Sequence, residues 1–279
     1  MDLNTIEQSL IATLKSLGIE RHNEGDALYK YTTIEAAKAI LGNCSIRYSS
    51  PINFNDPFEF NRKCIDIGCT QEEMEFRLRA VLQHNPPPQG IDEYLKNISI
   101  QHFQKTYFDT LEEERTHSLI QCYSEIRDEI LMWSHYAKSH SGVCIGIRVP
   151  TFGINEQSLT MRVNYTHKIT PIRMFSTNQM VGGLALVYWV YTKSERWGYE
   201  KEVRTHLSNA DGLFEVDGDL YSIQPLDKTQ ICSLTFGINT PQKDVDDILS
   251  IAKSAGYNLK FVSRMELGEP AFDLVEKFI

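Results

Sequence analysis

The longest apolar stretch of the chain, MVGGLALVYWVY from Met180 to Tyr191, sets the first limit on what the chain can fold into. A helix that spans a bilayer needs roughly 20 apolar residues, and this stretch falls short. It reads as a buried helix, apolar on all sides, which requires a sizeable core around it. The 279 residues supply one, with 42% hydrophobic and 23% charged residues, the mix of an ordinary globular protein. The opening MDLNTIEQSL is acidic and amphipathic rather than basic and then apolar, so no leader is expected and the location is expected to be cytoplasmic. A net charge of -9 argues against broad nucleic-acid binding, which needs a basic surface.

The six cysteines are Cys44, Cys64, Cys69, Cys122, Cys144 and Cys232, and none forms a CxxC pair. They read as reduced, buried thiols. With the scattered histidines they lack the spacing of a zinc site, so no metal is expected.

Patterning along the chain gives an amphipathic helix within residues 1–25, on Ile6, Leu10, Leu14 and Leu17, followed by one domain over 26–279. A strand over Leu28–Tyr31 leads into a helix with Thr32 and Glu35 at capping-box spacing and Gly42 past its end. SIRYSS is a second strand, stopped by Pro51. Thr70 with Glu73 caps another helix, NPPPQG ends it, and a further helix is expected from Ile91 to about Glu114. Strands HSLIQCYS, SGVCIGIRV and MRVNYTH follow, with a short helix DEILMWSHYAK after the first. Another strand is expected over WGYEKEVRTHL, then ICSLTFGI and LKFVSRMEL, with a helix between the last two started by Thr240 and Pro241. This irregular order, without a Gly-rich phosphate loop, excludes a doubly wound fold. The expected class is α+β: a single mixed domain with a split or twisted, antiparallel-rich sheet and an inserted helical region at about 70–114.

Three constellations are candidates for chemistry. In SSPINFNDPFE, Asn55 and Asp56 sit in a turn before Pro57, where Asx side chains bond local backbone; Asp56 is also a candidate base. In ILMWSHYAKSHSG, helical geometry places Trp133 and Tyr136 on one face with His135 a quarter turn away. Ser134 and His135 diverge and cannot form a nucleophile pair, although Cys122 or Cys144 with His135 is conceivable. In WGYEKEVRTHL, a strand would align Glu200, Glu202, Arg204 and His206, with Trp197, Tyr199 and Lys193 just ahead. Carboxylates at i and i+2 repel unless something uses them, and Arg204 can hold one ionised and oriented.

Taken in order, LYKYTT, YSSPINFNDPFE, MWSHYAKSHSGVCIGI, VNYT, KSERWGYEKEVR and SLTFGI resemble the bacterial domain-of-unknown-function family DUF2971 over nearly the whole chain from residue 28. That family name implies no activity. A more distant resemblance is to ADP-ribosyltransferase-like proteins, which carry a basic residue on a first strand, Ser or Tyr on a second and a catalytic Glu, often in Glu-x-Glu, on a later one. It implies NAD as a substrate, Glu202 as the catalytic carboxylate and Glu200 as its partner. Lys30, standing where those proteins have His or Arg, or Tyr31 would take the first position, and Tyr48, Ser49 and Ser50 the second. Arg47 or Arg204 would meet the pyrophosphate, and Asn55, Asp56, Trp133, His135, Tyr136, Lys193 and Trp197 complete the candidate binding set. A role in bacterial conflict or phage defence follows by the same analogy. The alternatives are a non-catalytic sensor for a nucleotide or a protein, and a hydrolase using Asp56 or His135.

Overall fold

The computed structural model describes residues 11–151, 158–176, 179–207 and 212–279, without the side chains of residues 53 and 179–183. The first elements are α1 (11–16), β1 (Leu28–Thr32), α2 (Ile34–Asn43), β2 (Ser45–Ser49), β3 (Ile65–Asp66), α3 (Gln71–Leu82), α4 (Ile91–Asn97) and α5 (Ile100–His117). There follow β4 (Leu119–Ser124), α6 (Ile130–Tyr136), β5 (Val143–Ile147), β6 (Ser158–Arg162), β7 (Asn164–Thr166), β8 (Ile172–Arg173), α7 (Gln179–Val190) and β9 (Thr192–Ser194). The last are β10 (Glu202–Leu207), β11 (Leu213–Val216), β12 (Asp219–Pro225), β13 (Ile231–Phe236), α8 (Gln242–Ala255), β14 (Phe261–Gly268) and β15 (Asp273–Phe278). The class is α+β, with a mostly antiparallel sheet and helices inserted over 71–117, as the patterning predicts.

The chain gathers into two compact units. Among the described residues, one comprises 11–19 with those of Pro51–Ser118 and Asn164–Ser194; the other comprises those of Glu20–Ser50, Leu119–Val163 and Glu195–Ile279. The first holds α1, α3–α5, α7 and two small parallel pairs, β3 with β8 and β7 with β9. Its interior is aromatic: Phe175 lies 4.9 Å from Phe103 and 4.7 Å from Tyr107, and Phe60 lies 5.5 Å from Trp189, at the offsets that rings prefer.

The second unit is built on an eleven-stranded sheet in the order β11-β12-β2-β4-β1-β5-β13-β14-β15, with β10 paired to β4 and β6 to β10. β4 is the branch point. β10 runs along one of its edges from Glu202↔Ser124 to Leu207↔Leu119. The other edge meets β2 only at Ser49↔Ile120 and β1 only at Tyr29↔Ser124, so β1 and β2 part over its middle. One sheet face buries Leu28, Val143, Ile145, Ile147, Val203, Leu234 and Phe236 against Ala37 and Leu41 of α2 and Val245 and Ile248 of α8. Each such side chain contributes about 1.5–3 kcal/mol by leaving water. The other face packs Tyr31, Cys144 and Met265 against Met132 and Trp133 of α6.

Several expected boundaries move. Thr32 stays in β1, paired with Val143, so the cap of α2 falls to Thr33, whose Oγ1 accepts the Ala36 N–H at 3.2 Å. Cys44, not Gly42, takes the left-handed position that ends it. Thr70 and Glu73 form their capping box as read. Ser99 caps α5 and breaks the single helix expected over 91–114 into α4 and α5. Thr240 donates its hydroxyl to the Gly142 carbonyl (2.7 Å), leaving Pro241 at the cap of α8. The expected strand MRVNYTH divides into β6 and β7, which pair in different sheets. The hairpin β11–β12 and strand β15 are additions to the sequence reading. The proposed helix within residues 1–25 is helical over 11–16, and its earlier residues lie outside those described.

Gly237 marks a backbone crossing that admits no side chain. Its N–H bonds the Gly142 carbonyl at 3.0 Å, and an added methyl would strike the His140 carbonyl and come within 3.2 Å of the Trp133 ring. Gly237→Ala should therefore cost about 2–3 kcal/mol, at the upper end of overpacking penalties. Urea denaturation of the variant against the parent chain measures it.

Candidate functional site

The WGYEKEVRTHL segment is not one strand. Glu195–Glu200 form a 3-10 turn, Lys201 takes a left-handed φ of 45°, and β10 starts at Glu202. A non-glycine residue in that region is uncommon and needs its surroundings to hold it. Here the end of β4 does so. Ser124 donates its hydroxyl to the Glu200 carbonyl at 2.6 Å, and the Glu125 N–H bonds the Lys201 carbonyl at 2.9 Å. The expected alignment is thus corrected. Glu202, Arg204 and His206 share a strand face, whereas Glu200 comes from the turn before it.

The two carboxylates have different partners. Tyr136, from α6, donates its hydroxyl to Glu200 Oε1 at 2.6 Å. Arg204 donates from Nε to Glu202 Oε1 at 2.7 Å and from a terminal nitrogen to Oε2 at 3.1 Å, a bidentate pair. Glu200 and Glu202 are both buried, and Arg204 is 0% exposed. Opposite Arg204 on β4 stands Cys122, whose thiol is pushed well above its ordinary value by burial and further by Glu202. Such a thiol is the reverse of an activated nucleophile, and His135 lies exposed on α6, so the conceivable Cys-His pair with Cys122 is not formed.

Lys30 enters from β1. Its ammonium donates to the Cys122 carbonyl at 3.4 Å, beside a 2.8 Å bond from the Gln121 amide to the same oxygen. That carbonyl lies where β1 and β2 part, so side chains take the place of a neighbouring strand. Burial lowers the Lys30 pKa, while Cys122 and Glu202 act against the shift. The Lys30 ammonium therefore feels the negative charge of Glu202. In the same part of the sheet, burial raises the Tyr48 hydroxyl, which bonds Tyr123 and Thr205, and Thr205 meets Thr160 at 2.9 Å.

Other candidates sit elsewhere. Ser49 pairs with Ile120, four residues along β4 from the Ser124 that faces Glu202, about 13 Å at strand rise. Its hydroxyl accepts from Arg47, which also reaches Asp219 and lies 3.9 Å over the Tyr221 ring. Ser50 is buried, with its N–H on the Leu220 carbonyl. Tyr31 and Trp133 are core residues in edge contact at 5.2 Å, with polar tips on the Ile126 and Arg127 carbonyls. Trp197 and Tyr199 are half-buried on the turn that carries Glu200, 6.1 Å apart, and Tyr199 packs with Tyr136 against the Trp133 cluster. Asn55, Asp56 and Lys193 belong to the first unit. There Asp56 is buried and makes the expected Asx turn to the Phe58 N–H (2.9 Å), and Lys193 forms a buried 2.9 Å ion pair with Glu59. Asn55 is exposed.

Sequence patterning passed over Ser124 and Gln121. Their roles depend on strand register, which only the β4–β10 pairing fixes. Among the described residues no group of three or more His, Cys, Asp and Glu side chains could hold a metal ion, and no helix is long and apolar enough to cross a membrane. Residues 132–205 match a family model described as a protein of unknown function (DUF2971). The match runs from Met132 in α6 to Thr205 in β10 and includes Tyr136, Glu200, Glu202 and Arg204. No curated protein and no solved structure matches the chain.

Two outcomes follow from this geometry. Arg204→Met takes the bidentate guanidinium from the buried Glu202 and should cost about 3–5 kcal/mol, whereas adding Glu202→Leu should recover most of the loss. Denaturant midpoints of the single and double variants test this. His206 faces Ile120 and Leu159 across its two neighbouring strands, and burial lowers its pKa from 6.5 to about 4. The folded imidazole thus stays neutral where the unfolded one takes a proton. Its contribution is constant above pH 6.5 and is lost as pH falls from 6.5 to 4, by roughly 2–3 kcal/mol. His206→Leu should flatten this part of a stability-versus-pH profile.

Proposed function

We propose that the chain is an NAD-cleaving enzyme of the ADP-ribosyltransferase or NAD-glycohydrolase type, with Glu202 and Glu200 as its carboxylate pair. The observation that carries the reading is a pair of buried carboxylates at the start of β10, Glu200 held by Tyr136 and Glu202 by Arg204, with the charge of Glu202 felt by the Lys30 ammonium. NAD is the substrate. In the reaction the bond from ribose C1′ to the nicotinamide nitrogen breaks and its electron pair leaves with nicotinamide. Positive charge develops on the ribosyl ring, and a new C1′ bond forms to water or to an acceptor, which gives up a proton. A pre-oriented carboxylate in a water-poor site stabilises that charge without reorganising. In this reading Glu202, fixed by Arg204, is the standing negative charge. Glu200 and the Tyr136 hydroxyl orient the reacting hydroxyl, and the half-buried Trp197 and Tyr199 offer aromatic surface for nicotinamide. The setting we propose, by resemblance alone, is bacterial conflict or phage defence.

A specific observation also favours a second reading, a non-catalytic nucleotide sensor. Both oxygens of Glu202 already receive bonds from Arg204, the arrangement of a site built to hold shape.

Nicotinamide release from NAD separates the two. Glu200→Gln keeps an acceptor for the Tyr136 hydroxyl, so its melting temperature should stay within about 4 °C of the parent. Release should drop about 100-fold or more, the scale of losing an oriented charge-stabilising group. NAD binding by calorimetry with no release by the parent chain favours the sensor. Neither binding nor release rejects both.

A further inference from the structure

The eleven-stranded sheet ends at β15, beside which no further strand lies among the described residues. Edge strands usually guard their unpaired amides and carbonyls with charge, proline or a bulge. The β15 edge carries charge at the exposed Asp273 and Lys277, and it also presents apolar surface: Phe272, in the turn before it, is 100% exposed, Phe278 66% and Val275 46%.

The direction of the backbone groups follows from one bond. Ile279 donates its N–H to the Val262 carbonyl at 3.0 Å, next to the ladder that pairs Lys277 with Arg264 and Val275 with Glu266. Antiparallel ladders alternate, so Asp273, Val275 and Lys277 turn their backbone groups toward β14, and Leu274 and Glu276 turn theirs outward.

The sequence FDLVEKF, Phe272 to Phe278, is nearly its own complement against a reversed copy. With Val275 at the centre, Val275 meets Val275, Leu274 meets Glu276, Asp273 meets Lys277 and Phe272 meets Phe278. We infer that β15 is a homodimer interface, through which two copies of the chain join antiparallel, edge to edge, about Val275. The outward groups of Leu274 and Glu276 supply backbone rungs on both sides of the centre. The centre itself is a non-hydrogen-bonded pair, where Cα atoms approach to about 4.5 Å and side chains pack most closely. Asp273 against Lys277 places opposite charges across the seam twice, by symmetry. The carboxylate of Glu276 brings no unpaired charge, because Arg127 already holds it at 2.9 and 2.7 Å and Ser263 donates to it at 2.5 Å. The opposite sheet edge, β11, also exposes Leu213, Phe214 and Val216, but it offers only Glu215 and no cation. Joining β15 to β11 would be head-to-tail and would build open chains rather than a closed pair.

Sedimentation velocity of the full chain over a concentration series tests the proposal. The parent chain should dimerise reversibly, and Val275→Lys, which sets two ammonium groups against each other, should weaken the dimer about tenfold or more. Asp273→Lys and Lys277→Asp should each weaken it, and the double exchange should restore it, since opposite charges again face each other. Lys277 also meets Glu266 within the chain at 3.0 Å, so melting temperatures accompany every variant to show that the fold is kept. A chain that stays monomeric at its highest soluble concentration overturns the proposal. So does a dimer indifferent to Val275→Lys, a double exchange that restores nothing, or assemblies that grow beyond a dimer and need Phe214.

Discussion

The branch at β4 is the constraint from which the candidate site follows. One edge of this strand is filled by β10, and the other is divided between β2 at one end and β1 at the other. Between those two contacts a buried carbonyl is left with no strand to receive from. A buried carbonyl without a donor costs as much as a lost hydrogen bond, so the gap has to be served by side chains. Lys30 and Gln121 do this at Cys122. Serving the gap draws an ammonium group out of water, which lowers its pKa, and sets it within the field of Glu202. The charge arrangement is thus a consequence of how the sheet divides.

The second determinant is the left-handed turn at Lys201. Had the chain run straight from Trp197, Glu200 and Glu202 would project from one strand face with little between them and would repel. The turn hands Glu200 to Tyr136 on α6 and leaves Glu202 to Arg204. Ser124 joins the two halves: it stands opposite Glu202 in the ladder and bonds the carbonyl of Glu200. Two like charges are thereby kept close in sequence with separate counter-partners.

The fold class was legible in the sequence because alternation, capping pairs and breakers are local signals. The Thr70–Glu73 box, the apolar faces of α2 and α8 and the apolar strands β5 and β13 all follow from neighbours along the chain. Errors of one residue at Thr33 and Pro241 arose where a threonine that looked like a cap was held by strand pairing or by a distant carbonyl instead. β15 escaped because FDLVEKF breaks the strand alternation, with Leu274 next to Val275 and Glu276 next to Lys277, and so resembles a loop as much as a strand. For the site, the spacing of Glu202, Arg204 and His206 was enough to place them on one face. The closeness of Lys30 to Glu202, and the distance of Ser49 from it, depend on where β1 and β2 touch β4. No local pattern encodes that register.

What the energetics say about Glu202 and Arg204 bears on why they are there. Taking a carboxylate and a guanidinium out of water costs several kcal/mol per ion, and their mutual attraction roughly offsets that when the geometry is good. Apolar residues of similar volume would hold the sheet as well or better. The positions around them show that the chain can supply such residues: His206, on the same face, sits between Ile120 and Leu159, and Val203 on the other face is wholly buried in the core. Stability alone is therefore a weak reason for a buried ion pair at the start of β10. A fixed negative charge, close to a lysine whose own charge is disfavoured by burial, is a stronger one. It is the kind of preorganised field that a reaction developing positive charge can use, and it is the physical ground on which the glycosyl-transfer reading rests.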